Sequence, residues 1–148
     1  MNKLAFASVA AAALLLSACS TIRPTTSYVA PEIKESDAQV ISFDTTNYLA
    51  DTLPPAKTTL VLEPQPGSGD RLTPVLKEHL MKRGFGVVEV FPKSTVGEGT
   101  RLRYLATPLD GGVALRLQFN QTEATRFYPR TASGELSIGA PFTVREGK

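Results

Sequence analysis

The sequence predicts an α+β domain of two layers, in which helices pack on one face of a small, mainly antiparallel sheet. Two patterns indicate this fold class: a helix followed by a strand–helix–strand unit, and then a C-terminal half made of strands and turns. The apolar content of 42% is ordinary for a globular protein, and the length suits one domain. We therefore expect a single domain over residues 36–148.

The first helix is expected to start at Ser36, whose hydroxyl can cap it, and to stop before the Pro54-Pro55 pair. Asp37 suits the positive end of this helix. Its predicted apolar stripe consists of Val40, Ile41, Tyr48 and Leu49. Residues 44–47 (DTTN) are weak helix formers, so the prediction depends on the stripe and on the two boundaries.

The second helix has the clearest pattern in the chain. Its apolar stripe follows helical spacing and consists of Leu72, Val75, Leu76, His79 and Leu80. Pro74 suits only a first turn, which places the cap at Asp70 or Thr73, and Gly84 is expected to end the helix. Short apolar runs at 58–62 and 86–91 predict a strand on each side, and residues 64–69 predict a loop.

The C-terminal half alternates in the manner of half-buried strands. Residues 101–109 and 113–119 form two such runs around the hairpin signal Asp110-Gly111-Gly112. Residues 122–130 continue the pattern, residues 132–135 turn the chain, and Ile138 with residues 142–144 predicts a short closing strand. Together these segments predict a β-meander.

The N-terminus has the features of an export signal. Lys3 precedes an apolar run over residues 4–16 that is too short for a transmembrane helix, which needs roughly 20 apolar residues. The run ends in Leu16-Ser17-Ala18-Cys19, which resembles the lipobox of bacterial lipoprotein precursors. Small residues admit the chain to a protease, and the Cys19 thiol is the nucleophile that accepts diacylglycerol. An ordinary secretory signal would give no reason for the only cysteine to occupy this position.

Removal of residues 1–18 would leave Cys19 acylated on its thiol and its new amino group, with no other cofactor expected. Ser20 follows it, whereas an aspartate there resembles an inner-membrane retention signal, so we expect an outer-membrane lipoprotein facing the periplasm. With a single cysteine, no intrachain disulfide can form. Residues 19–35, rich in Pro, Ser and Thr, are expected to form a flexible tether. Its isolated apolar residues are candidates for docking a partner: Ile22, Tyr28, Val29 and Ile33.

The mature chain has little that indicates catalysis or nucleic-acid binding. Lys3 is lost with the signal, so 15 of the 16 basic residues remain against 14 acidic ones, without a basic run for nucleic acid. His79 is the only histidine, lies on or beside the helical stripe, and is expected to be structural. No second histidine or thiol is present to build a transition-metal site. We therefore expect a non-enzymatic protein without a small-molecule substrate.

Several segments resemble the TrbH-type conjugal transfer lipoproteins of type IV secretion systems. They are the lipobox at Cys19, residues 53–60 (LPPAKTTL), residues 80–88 (LMKRGFGVV), and the strand from Arg103-Tyr104 with its hairpin to Arg116. The resemblance implies a structural part of the mating-pair apparatus that contacts other secretion-channel proteins, without catalytic residues. An alternative hypothesis is an envelope carrier or chaperone lipoprotein of the lipopolysaccharide-assembly type. A cell-wall enzyme would lack a recognisable site.

Overall fold

The computed structural model describes residues 26–67, 69–91 and 97–147, and the predicted α+β fold is confirmed over them. The elements in chain order are β1 (Tyr28–Val29), α1 (Glu35–Thr52), a 3-10 turn (Pro55–Lys57), β2 (Thr59–Leu62), α2 (Leu72–Arg83), β3 (Gly86–Glu89), β4 (Thr100–Leu109), β5 (Gly112–Phe119), β6 (Thr122–Pro129) and β7 (Thr143–Glu146). Within the described ranges this makes two α-helices and a seven-stranded sheet.

The sheet has the order β3-β2-β4-β5-β6-β7. Strands β4 to β7 form the predicted antiparallel meander, while β2 runs parallel to both β3 and β4. Strand β1 also pairs with β4 in parallel, through Tyr28 and Leu105. Because β2 pairs with β4 at residues 100–102 and β1 pairs at residues 105–106, the two short strands share one edge of β4.

Both helices pack on the sheet face that carries Leu102, Tyr104 and Ala106, and all three of these residues are buried. The register pairs Tyr104 with Leu117 and then Leu117 with Ala124, which are also buried, so the predicted alternation in β4 and β5 is confirmed. From α2, the apolar residues of the predicted stripe enter the same core. A single core therefore lies between the helix layer and one face of the sheet.

Helix α2 ends at Gly84 as its sequence predicts, but the residue that precedes it is Arg71, whereas Asp70 or Thr73 was expected to be the cap. The carboxylate of Asp70 accepts the backbone N–H groups of Leu72 and Thr73 at 3.0 and 2.9 Å, which satisfies two donors of the first turn. Gly84 closes the helix with a φ of 103°, a left-handed conformation that glycine adopts without steric cost. Pro74 lies in the first turn, where it removes no helical hydrogen bond.

Helix α1 starts two residues earlier than predicted. Ser36 was expected to be the cap, but the helix already includes Glu35 and follows Lys34. The backbone N–H of Lys34 donates to the Asp37 carboxylate at 3.2 Å, so an acid inside the first turn does part of the capping. The weakly helical residues 44–47 are nevertheless helical, and Asp44 among them makes the tertiary contacts described below.

The prediction of a free tether through residue 35 is wrong for residues 27–35, and so is a domain that begins at residue 36. Val29 is fully buried and Ile33 is 1% exposed, and both belong to the core. The backbone of this segment is also paired, since Ser27 N–H donates to Glu63 at 2.9 Å and the Gln65 amide bonds both backbone groups of Val29. The folded domain therefore includes Ser27, which is eight residues beyond Cys19 in the sequence.

Candidate functional surface

The residues singled out from the sequence lie in different surroundings. The lipobox, Leu16 to Cys19, and Ile22 lie outside the described residues. Of the other candidate docking residues, Tyr28 is 45% exposed, whereas Val29 and Ile33 are inside the core. Docking through Val29 or Ile33 would require the domain to open, so they are not available to a partner. Tyr28 keeps an accessible side chain.

His79 lies on the outer side of the helix layer, where α1 and α2 meet. Its Nε2 is 3.2 Å from the amide oxygen of Gln39, and its ring stands edge-on to Phe43 at 6.5 Å between centroids. Neither neighbour is an acid or a nucleophile. In the part of the chain that the structure describes, no group of three or more histidine, cysteine or acidic residues could hold a metal ion. These contacts fit the structural role expected for His79.

A polar cluster that the sequence did not reveal joins α1 to β6. Asp44 is buried, and one of its carboxylate oxygens accepts hydrogen bonds from Arg126 at 2.5 Å and from the Tyr128 hydroxyl at 2.7 Å. The Arg126 guanidinium also lies 4.1 Å from the centre of the Phe142 ring, which stacks on Tyr48 of α1. Burial and the Asp44 carboxylate both raise the pKa of Tyr128, so this hydroxyl stays a donor. The cluster fixes α1 on the sheet.

A second ion pair lies about two turns earlier on α1. Arg130 forms two hydrogen bonds of 3.0 Å to the two carboxylate oxygens of Asp37, whose side chain is almost wholly buried. Burial by itself would raise the pKa of Asp37. The hydrogen bonds from Arg130 and from the Lys34 backbone, with the positive charges of both residues, outweigh burial and lower this pKa. Asp37 is therefore a structural carboxylate that is charged at neutral pH.

The face of the sheet opposite the helices carries accessible apolar, polar and charged side chains. We call it the open face. Its side chains alternate with the buried ones in the register of β4 to β7. They are Arg101, Arg103, Leu105, Thr107 and Leu109 of β4, Ala114, Arg116 and Gln118 of β5, Glu123, Thr125 and Phe127 of β6, and Thr143 and Arg145 of β7. Each of them is half-buried or exposed.

The two ends of the open face differ. At one end, Leu105, Leu109 and Phe127 line a groove of about 620 Å³ whose rim includes Pro141. Leu109 is 56% exposed and Phe127 is 39% exposed, so apolar area remains in contact with solvent. This end is the apolar part of the open face.

The other end carries charged side chains of both signs. Glu63 pairs with Arg101 at 3.2 Å and with Arg103 at 2.5 Å, and Glu123 pairs with Arg145 at 3.3 Å. Arg116, between the two ends, has no acidic side chain within ion-pair distance among residues 26–67, 69–91 and 97–147. Arg116 thus lines the apolar groove without a direct ion pair, and its charge acts on Glu123 at longer range.

Comparison with known proteins gives one family. A family model described as conjugal transfer protein TrbH matches residues 20–147, nearly the whole chain after the predicted signal. Searches of curated proteins and of solved structures returned no significant match. Across the described ranges, neither helix is both long and apolar enough to cross a membrane.

Proposed function

Because the chain belongs to the TrbH family of conjugal transfer proteins, we propose that it is a lipid-anchored assembly component of a conjugative type IV secretion apparatus. In this role it is held at the outer membrane, faces the periplasm, and acts by contact with other channel proteins. The family is one of conjugal transfer and not of enzymes. It favours this role over the lipopolysaccharide-type carrier, which has no comparable support.

The observation that carries the anchoring part is the position of the single cysteine, at the end of Leu16-Ser17-Ala18-Cys19. The Cys19 thiol loses its proton and attacks the diacylglyceryl carbon of a phospholipid, which forms a thioether as the phosphorylated headgroup leaves. Hydrolysis of the Ala18–Cys19 peptide bond then frees the amino group of Cys19, and this group takes an acyl chain from a phospholipid ester, which leaves as the deacylated alcohol. Burial of acyl chains contributes about 0.8 kcal/mol per methylene, and two or more chains make anchoring stable. The family match begins at residue 20, directly after this cysteine.

Contact with partners has to use surfaces that the fold leaves accessible. Tyr28 is exposed on the sheet face that carries its strand partner Leu105, and Ile22 is a candidate for docking in the segment before the domain. The buried ion pairs of Asp37 and Asp44 hold α1 on the sheet, so the domain can present its outer residues to a partner without refolding. In this proposal the protein is a small rigid domain that its lipid anchor holds at the membrane.

The test replaces Cys19 and its neighbour in parallel. Cys19→Ser should abolish palmitate incorporation, leave unprocessed or soluble protein, and reduce transfer of the conjugative element, because no other thiol can accept the lipid. Ser20→Ala is the matched control and should retain labelling and transfer. Palmitate labelling that survives in Cys19→Ser would overturn the proposed anchor.

Placement at the outer membrane has a separate test. Ser20→Asp introduces the residue that resembles a retention signal, so the acylated variant should fractionate with the inner membrane and transfer should fall. If Ser20→Asp fractionates with the inner membrane and transfer is unchanged, contact at the outer membrane is not what the protein contributes.

A further inference from the structure

The short distance between Cys19 and the folded domain constrains how the domain can lie on a membrane. Thr26 is seven residues beyond Cys19, so the connecting chain can span at most about 23 Å at ~3.3 Å per residue. A tether through residue 35 would have allowed roughly twice that reach. Since the domain includes Ser27, the domain of an acylated chain stays close to the lipid surface.

The connecting chain also leaves the domain from a defined side. Thr26 lies beside Arg103, Leu105 and Arg116, which belong to the open face. The next residue, Ser27, is fixed to the sheet, because its hydroxyl accepts the backbone N–H of Tyr104 at 3.2 Å. An anchor that departs from one face by a short connection draws that face towards the surface in which the anchor is embedded.

From these two constraints we propose that the open face lies against the lipid surface, with the helix layer pointing away from it. This inference rests on the proposed acylation of Cys19. The chemistry of the face suits a phospholipid interface: Leu105, Leu109 and Phe127 supply apolar area, and Arg116 supplies an unpaired charge for lipid phosphate. The helix layer then presents α1 and α2 to the periplasm, where protein partners can reach them. Tyr28, which pairs with Leu105 and so shares its face, meets the lipid in this orientation and not a protein.

The composition of the open face favours contact of this face with lipid over its full exposure to water. Exposed apolar residues interspersed with arginines are typical of segments that rest at a headgroup boundary, where rings and aliphatic chains are buried and guanidinium groups reach phosphates. On the helix side, the exposed charges of Lys82 and Glu78 pair with each other at 2.5 Å. Neither member of that pair is therefore free to contact a lipid phosphate.

The test uses the full acylated chain in vesicles of phosphatidylethanolamine and phosphatidylglycerol. Because the Cys19 thiol is occupied by lipid, one introduced cysteine is the only site for a fluorophore. Leu109→Cys on the open face and Met81→Cys on α2 are matched, since the native side chains are 56% and 55% exposed. Lipids with a nitroxide headgroup should quench the label at position 109 several-fold more than the label at position 81.

Charge is tested with a second pair of variants in the Leu109→Cys background. Arg116→Glu should reduce quenching at position 109 on vesicles that contain phosphatidylglycerol, and added salt should do the same. Arg83→Glu, at the exposed end of α2, is the control and should leave the quenching unchanged. Circular dichroism establishes that each variant is folded.

The outcomes separate this inference from the proposed function on which it rests. Equal quenching at positions 109 and 81, or stronger quenching at 81, in protein that floats with the vesicles would overturn the orientation and leave the lipid anchor intact. Such a result would assign the open face to a protein partner instead. Protein that carries no palmitate and fails to float would overturn the anchor itself, and the orientation with it.

Discussion

Two buried acids on α1 determine how that helix meets the sheet. Asp37 and Asp44 each pair with an arginine of the β6 region, Arg130 and Arg126, across 93 and 82 residues of sequence. Desolvation offsets much of the attraction in a buried pair, so the pairs need not add much net stability. Removal of one partner is different, because it leaves an uncompensated charge inside the protein.

We therefore expect Asp37→Asn to lower the free energy of unfolding at neutral pH by about 3 kcal/mol, the lower end of the range for a broken buried pair, because Arg130 is partly exposed. The measurement is urea denaturation followed by circular dichroism. Glu78→Gln removes an acid from the exposed pair with Lys82 and is the matched control; it should leave the midpoint unchanged. Equal loss in both variants would show that burial of Asp37 is not the cause.

The same carboxylate predicts a dependence on pH. The pKa of Asp37 is lower in the folded protein, so its stabilisation is present above the unfolded pKa of about 3.9 and is lost as pH falls through the folded value. The difference in unfolding free energy between wild type and Asp37→Asn should therefore be constant near neutrality and shrink below about pH 4. A difference that grows on acidification would contradict the lowered pKa.

At the scale of elements, the register of β5 against the helix layer is the feature on which the core depends. Leu117 is fully buried between β4, β6 and the helices, and its neighbour Arg116 lies on the open face. Leu117→Ala and Leu76→Ala should each lower the free energy of unfolding by roughly 2–5 kcal/mol. Arg116→Ala should have a much smaller effect. Similar losses at positions 116 and 117 would contradict the register.

Strand β1 gives a second prediction at this scale. Replacement of residues 27–33 with a Gly/Ser sequence of equal length removes Val29 and Ile33 from the core and should destabilise the domain by several kcal/mol. The same replacement of residues 20–25 should leave the denaturation curve unchanged. Denaturation of the two variants in parallel checks both expectations. A stable domain without residues 27–33 would contradict the assignment of β1 to the fold.

Sequence patterns predicted the elements whose signals are local. Helix α2 has a regular stripe, an acid at its start and Gly84 at its end, and β4 and β5 alternate around a hairpin signal, so each is evident within a few residues. Strand β1 has two residues and pairs with Leu105 and Ala106, far along the chain. Nothing near Tyr28 predicts that pairing, and the prolines around it resemble those of a linker.

The surfaces of the molecule also combine features with local sequence signals and features that depend on distant parts of the chain. Alternation in β4 and β5 indicated that Arg116 points away from the core, but not that the face around it would remain uncovered by helices. The buried role of Asp44 was also hidden, because residues 44–47 are poor helix formers on their own. The partners of Asp44 are Arg126 and Tyr128, which are supplied by a strand near the other end of the chain.

At the scale of the whole molecule, the proposed function separates two parts with different tasks. The lipidated Cys19 places the protein, and the domain supplies the surfaces that meet other components of the apparatus. If the protein acts by contact and not by catalysis, removal of one reactive side chain should reduce transfer of the conjugative element less than removal of the lipid anchor does. His79 is the appropriate residue for this test because it is the only histidine.

We expect His79→Gln to leave transfer of the conjugative element unchanged. Glutamine keeps a hydrogen-bonding group near Gln39 and gives up the edge-on ring contact with Phe43, which costs about 1.5 kcal/mol at most. Cys19→Ser, measured in the same transfer assay, should show the loss expected for an unanchored protein. Membrane fractionation and thermal denaturation establish that His79→Gln is anchored and folded. If that anchored, folded variant abolished transfer, His79 would take part in chemistry, and a role based on contact alone would be wrong.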